Sequence, residues 1–122
     1  MKPVIQTSDG INGGKSIRYE IDLAKNGFQG ELFVEALGYS RGSVEVFCSA
    51  GSGVSGTAVI KQRNRAGGKS FPLDPNKTIA FTEGEVTGVF GLNFTGAYLH
   101  IDTSNVVFGN TGTVEVNITL KL

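Results

Sequence analysis

Alternation in the last ten residues, Thr113 to Leu122, constrains the fold of this chain more than any other feature. Val114, Val116, Ile118, Leu120 and Leu122 take every second position, and Thr113, Glu115, Asn117, Thr119 and Lys121 fill the gaps. A period of two sends these sets to opposite faces of a strand, whereas a helix could not gather the five apolar side chains onto one stripe. A strand with one apolar face needs a sheet around it and a second layer over it. The rest of the chain should supply that cover.

Its pattern fits that role. Ser16 to Leu23 alternates Ile17, Tyr19, Ile21 and Leu23 with Arg18, Glu20 and Asp22. Glu31 to Leu37 has Leu32, Val34 and Ala36 on one face and Phe33 and Leu37 on the other. Ser43 to Ala50 sends Val44, Val46 and Cys48 one way. Thr57 to Arg63 and Thr78 to Phe81 are further strands. Ala97 to Asp102 places Ala97, Leu99 and Ile101 inward and Tyr98, His100 and Asp102 outward. Between them, Glu85 to Phe94 is blurred by Gly88 and Gly91, as at a bulge or a close backbone approach. Pro72 and Pro75 bracket a stiff bend, since proline fixes φ and restrains its predecessor. With 18 glycines, three prolines and no amphipathic helix of ten residues, the expectation is short strands joined by tight turns. The fold class expected is all-β: a single-domain antiparallel β-sandwich or jelly roll of seven to eight short strands over 16–122. Residues 1–15 read as an N-terminal arm or loop.

Composition narrows the function. Lys plus Arg (11) equals Asp plus Glu (11), so there is no field suited to neutralising phosphates and no nucleic-acid partner is expected. No apolar run approaches the roughly 18 residues of a membrane span, and the first residues lack a signal-peptide pattern, so no membrane partner is expected either. The lone cysteine, Cys48, shares a strand face with Val44 and Val46 and reads as a buried, inert thiol.

Two Gly-Gly-Lys-Ser runs, at 13–16 and 67–70, invite comparison with a phosphate loop. Asp9 and Arg63 stand where its first glycine is needed, and no helix follows. Gly51-Ser52-Gly53-Val54-Ser55-Gly56 matches the dinucleotide fingerprint literally, but Thr57-Ala58-Val59-Ile60 continues as a strand, so no helix N-terminus would meet a pyrophosphate. His100 and Asp102 lie about 7 Å apart on one strand face. That suits a partial dyad, yet the sequence places no serine or cysteine as its nucleophile. Glu83 and Glu85 are the nearest approach to a metal pair. Asn76, Asn93 and Asn117 begin Asn-x-Thr sequons that read as chance in a Thr-rich chain. No catalytic residue, metal ligand or small-molecule cofactor is assigned.

Two stretches are candidate partner-binding sites. Lys61, Arg63 and Arg65, with Lys69, form a basic loop that is either solvated or a contact for an acidic partner. Val106, Val107 and Phe108 are consecutive apolar residues in a connector. Either Val106 and Phe108 plug the open end of the sandwich and leave only Val107 exposed, or the tip docks on a neighbouring subunit.

The C-terminal third, from Val86-Thr87-Gly88 through Gly96-Ala97-Tyr98-Leu99-His100-Ile101-Asp102 to Gly112-Thr113-Val114-Glu115-Val116, resembles small all-β virion proteins of tailed phages. In those proteins a Gly-aromatic-x-apolar strand is followed by a Gly-Thr-Val-x-Val closing strand. The resemblance transfers no site residue. It implies a non-enzymatic structural or assembly module of a phage virion: capsid decoration, head fibre or tail-associated. Such a module is made in the host cytoplasm and resides in the virion. Its partners are copies of itself, a trimer favoured, and other virion proteins. The alternative is a carbohydrate- or surface-binding β-sandwich, for which Tyr39, Tyr98 and Phe33 are the aromatic candidates. An enzyme would need the His100–Asp102 pair to find a nucleophile on another strand.

Overall fold

The computed structural model of the chain describes residues 4–9, 14–26 and 32–122. Their strands are β1 (Val4–Asp9), β2 (Lys15–Asp22), β3 (Leu32–Glu35), β4 (Arg41–Cys48), β5 (Ser55–Arg63), β6 (Phe71–Ala80), β7 (Val86–Asn93), β8 (Tyr98–Asp102), β9 (Val106–Val107) and β10 (Thr113–Lys121), with one helical turn, α1 (Leu23–Asn26). One sheet has the order β1-β2-β10-β4-β7 and the other β3-β8-β5-β6, with β9 attached to β5. The named strand pairs are antiparallel. The chain is a single-domain β-sandwich.

The closing strand sits at the centre of the first sheet, as its apolar row demands. Val116 lies between Tyr19 and Val46, and Ile118 between Ile17 and Val44. Val114, Val116, Ile118 and Leu120 are fully buried, each contributing roughly 1.5–3 kcal/mol of hydrophobic transfer. Leu122 departs from the row and is exposed. The β4 ladder reaches only Lys121, opposite Arg41, so no neighbouring strand remains to cover it. Facing this row from the second sheet are Leu32, Val34, Ala58, Ile60, Leu99 and Ile101.

Four segments differ from the sequence reading. Val4–Asp9 is a strand, not an arm: β1 pairs with β2 from Val4↔Glu20 to Asp9↔Lys15. A ladder of backbone hydrogen bonds is indifferent to side-chain pattern, so Val4 and Ile5 alone gave little signal. Leu23 leaves the first clear strand and opens α1, where the Asp22 carboxylate accepts the Ala24 N–H at 3.0 Å as an N-cap. The expected Asn26-Gly27 turn, like Gly13 and Glu31, reaches outside the described residues.

The proline segment is one strand, β6, rather than a bend followed by a short strand. Its register against β5 jumps from Ile60↔Lys77 to Lys61↔Pro72, so residues 73–76 bulge from the ladder and Leu73 turns into the core. Finally, Val106–Val107 pairs with Gly56 and Ser55 inside the expected connector. Gly56 has φ +116°, and a Cβ there would lie 2.5 Å from the Asn105 carbonyl oxygen, so this close approach requires glycine.

Candidate functional site

The outer face of the second sheet gathers six of the residues that the sequence singles out: Phe33, Lys61, Arg63, Tyr98, His100 and Asp102. Register aligns Phe33 with His100 and His100 with Lys61, while Tyr98 pairs with both Glu35 and Arg63. His100 does point away from Leu99 and Ile101, but it is not a surface residue: only 5% is exposed. The Phe33 ring stacks on it, with centroids 4.2 Å apart and planes at 21°, and Ser70 Oγ lies 2.8 Å from Nδ1. Alternation fixes which way a side chain leaves the sheet; it cannot report what neighbouring strands lay over it.

Lys61 and Arg63 are likewise not in a loop. Both belong to β5, and both have local partners. Lys61 Nζ donates to Asp102 Oδ2 at 2.6 Å, and the Arg63 guanidinium carbon lies 3.7 Å from the Phe33 centroid and 5.1 Å from that of Tyr98. The Lys61 hydrogen bond, more than any other influence, holds the Asp102 carboxyl well below the usual carboxylate range. The Ser104 N–H to Oδ1 at 3.0 Å helps, and burial opposes. Arg65 lies beyond the strand, exposed in a turn. The three basic candidates therefore do not converge on one site.

The His100–Asp102 pair is also divided. Asp102 serves Lys61 and Ser104, while His100 meets Ser70, a hydroxyl 30 residues away that strand spacing alone could not locate. Asp102 is engaged by Lys61 and Ser104 and the imidazole is covered by Phe33, so the two side chains do not form the dyad that their strand spacing allows. Cys48 is fully buried, and burial, aided by the Glu83 charge against a backbone hydrogen bond at Thr82, pushes its thiol up to about 11.

Gly51–Gly56 leads directly into β5, and Glu83 Oε1 accepts the Gly53 N–H at 2.8 Å, an amide that a dinucleotide loop would aim at phosphate. Among the described residues no group of three or more His, Cys, Asp or Glu could hold a metal. In the 106–108 stretch, Val106 is buried and Phe108 packs edge-on against Phe81 (5.8 Å, 85°), while Val107 is 64% exposed. Tyr39 is half-buried and packs against the core.

A concavity lies elsewhere, at the end of the sandwich where β5 and β7 finish and β4 begins. This cleft of about 460 Å³ is lined by Ser40, Arg41, Gln62, Asp74, Asn93, Phe94 and Thr95. Its frame follows from local structure. Gln62 occupies the inward phase of β5, after Ala58 and Ile60, and is itself buried. Its Oε1 accepts the N–H groups of Thr95 (2.9 Å) and Gly96 (2.8 Å). Gly96 can come this close because it has no Cβ, which would meet the Arg63 carbonyl oxygen at 2.9 Å. On the opposite wall Phe94 N–H donates to the Ser40 carbonyl at 3.1 Å, and Ser40 N–H to that of Lys121 at 3.0 Å. With its carbonyl oxygen committed, Gln62 brings an amide donor to the cleft. Asp74, carried out on the β6 bulge, brings an acceptor, Arg41 a cationic donor, and Asn93 both.

Apart from the Asn93-Phe94-Thr95 sequon, read above as chance, these residues form no sequence motif. The one legible signal is Gln62, the only polar side chain in the inward row Ala58-Ile60-Gln62. Asp74, Asn93 and Arg41 come from three different strands.

No protein-family model matches this chain, and no curated protein matches it. Solved structures similar to it include a cupin domain from Bordetella pertussis Tohama I, 14% identical over 100% of this chain and 99% of that one, with a TM-score of 0.39. Another is the family 11 carbohydrate-binding module of the cellulosomal cellulase Lic26A-Cel5E of Clostridium thermocellum, 10% identical over 98% and 81% of the two chains, with a TM-score of 0.31. A third is Co(II) HppE in complex with substrate, 12% identical over 89% and 44%, with a TM-score of 0.29. Likeness at this level assigns neither a family nor a ligand.

Proposed function

We propose that this chain is a non-enzymatic binding module that holds a saccharide in the cleft at the end of its sandwich. The observation that carries the reading is the cleft's lining. Neutral and oppositely charged hydrogen-bonding groups (Ser40, Gln62, Asn93, Thr95, Arg41 and Asp74) converge on about 460 Å³. Paired donors and acceptors at short range suit vicinal hydroxyls, and a volume of this order suits one or two sugar rings. A binding role without chemistry also agrees with the covered His100, the committed Asp102 and the buried Cys48.

Amide chemical shifts of the native protein titrated with neutral oligosaccharides provide the test. The expected result is saturable movement of Asn93, Thr95 and Gly96, lost in Asn93→Ala and Asp74→Ala with melting temperature unchanged, because both residues are exposed. Absence of movement at millimolar sugar would reject the reading.

Residence in a virion, with copies of itself and other virion proteins as partners, is a second proposal resting on the C-terminal resemblance. Val107, exposed at the tip of β9, is the residue of the 106–108 stretch that such a contact would use. A trimeric native mass supports it, and a monomeric one counts against it.

A further inference from the structure

A second depression, about 240 Å³, lies on the outer face of the first sheet, and Arg41 lines both it and the end cleft. Register places Arg41 opposite Lys121 and Ser43 opposite Thr119. Two cations thus form one cross-strand row and two hydroxyls the next, about 7 Å along the strands. Beside them stands Phe90, 70% exposed. Its position has a specific origin. Between Leu92↔Gly42 and Val89↔Val44, β7 carries one residue more than β4, and Gly91 adopts φ +67°. The resulting bulge leaves Phe90 on the rim of the depression.

The chemistry of this corner differs from that of the cleft. No Asp or Glu lines it among the described residues, whereas Asp74 lines the cleft. Lys121 has no carboxylate partner among the described residues. Arg41 donates Nε (3.3 Å) and Nη2 (2.9 Å) to the Leu122 oxygen, which leaves Nη1 for another acceptor. Two cationic donors, two hydroxyls and an exposed aromatic face match a sugar ring bearing an acidic substituent.

We infer that this corner is a second subsite, taking the carboxylate or sulfate of an acidic sugar residue in a chain whose neutral part lies in the end cleft. The acidic group accepts from Arg41 Nη1, Lys121 Nζ and the two hydroxyls, and the ring rests on Phe90. The inference deepens the saccharide reading above and rests on it for the neutral portion of the ligand.

The test titrates native protein with a neutral oligosaccharide, its uronate-containing counterpart, its sulfated counterpart and inorganic sulfate. At least one acidic oligosaccharide should bind about tenfold more tightly than the neutral one, and the advantage should shrink as salt rises from about 0.05 to 0.5 M. Which acidic probe gains identifies the acidic group. Lys121→Gln should erase that advantage and leave neutral binding unchanged, and Phe90→Ala should weaken the acidic probe without loss of fold, since both side chains are exposed. Equal affinity for acidic and neutral probes, or an advantage that survives Lys121→Gln, overturns the subsite while the cleft stands. Shifts at Ser43, Thr119 and Lys121 with an acidic probe or sulfate, but none with the neutral sugar, uphold the cationic corner and overturn the cleft. Silence from every probe overturns both.

Discussion

Replacing Gln62 with Leu keeps volume and removes the acceptor along with the amide donor, which makes it the sharpest probe of how the cleft is held open. Gln62 is 7% exposed, and its Oε1 serves two backbone donors, Thr95 N–H at 2.9 Å and Gly96 N–H at 2.8 Å. The Gly96 donor is buried, so leaving it unpaired costs about 1–3 kcal/mol; Thr95 is exposed and can turn to water, adding about 0.5–1 kcal/mol. The sum is roughly 1.5–4 kcal/mol. Unfolding entropy near 2.1 cal/mol/K per residue over 122 residues makes each kcal/mol worth about 4 °C, so Gln62→Leu should melt about 6–16 °C lower. Gln62→Glu retains an acceptor for both N–H groups and should recover about half of the loss at neutral pH, less the cost of burying its charge. Differential scanning calorimetry reads both variants. A Gln62→Leu melting point within about 3 °C of the parent would refute the claim that this amide anchors the loop, given the cost of an unpaired buried donor.

Other substitutions test the remaining structure. Gly56→Ala combines a disfavoured φ of +116° with a Cβ 2.5 Å from the Asn105 oxygen, and should cost more than about 2 kcal/mol by urea unfolding; a neutral result would contradict the β5–β9 approach. Because its folded pKa is depressed, the Asp102 carboxyl stabilises the fold above the ordinary carboxylate range, and that stability drains as pH falls below about 4. Asp102→Asn should therefore be less stable at pH 7 and lose less on acidification; parallel acid-unfolding curves would exclude this. Phe108→Ser should lower stability by about 1–3 kcal/mol through lost packing on Phe81, while Val107→Ser should leave it within about 0.5 kcal/mol. Equal losses in chemical unfolding would mean that the two side chains are not divided between core and surface. Cys48, with its thiol pushed to about 11 and no exposure, should react with a thiol reagent only on unfolding; fast labelling of native protein would disprove its burial.

Local pattern was enough to determine an all-β antiparallel fold, sandwich or jelly roll, and the identity of much of its core. The described residues form ten strands where seven to eight were expected. Val114, Val116, Ile118 and Leu120, the Val44-Val46-Cys48 row and the Leu99–Ile101 pair are all buried, because period two ties each side chain to one face whatever the neighbours are. The same rule lost Leu122, where the partner strand runs out, and missed β1, whose ladder is made of backbone groups common to every sequence.

Only the tertiary structure decided what each outward side chain meets. His100 is buried by Phe33 from β3 and bonded to Ser70 from beyond β5, and Lys61 spends its charge on Asp102, 41 residues away. The cleft belongs to this second kind of information. Beyond the polar Gln62 in an inward row and the sequon at Asn93, nothing in the local sequence marks Arg41, Gln62, Asp74 and Asn93 as neighbours. They meet because the ends of β4, β5 and β7 and the bulge of β6 fall at one end of the sandwich, and that coincidence is set by strand order and register, which no local period encodes.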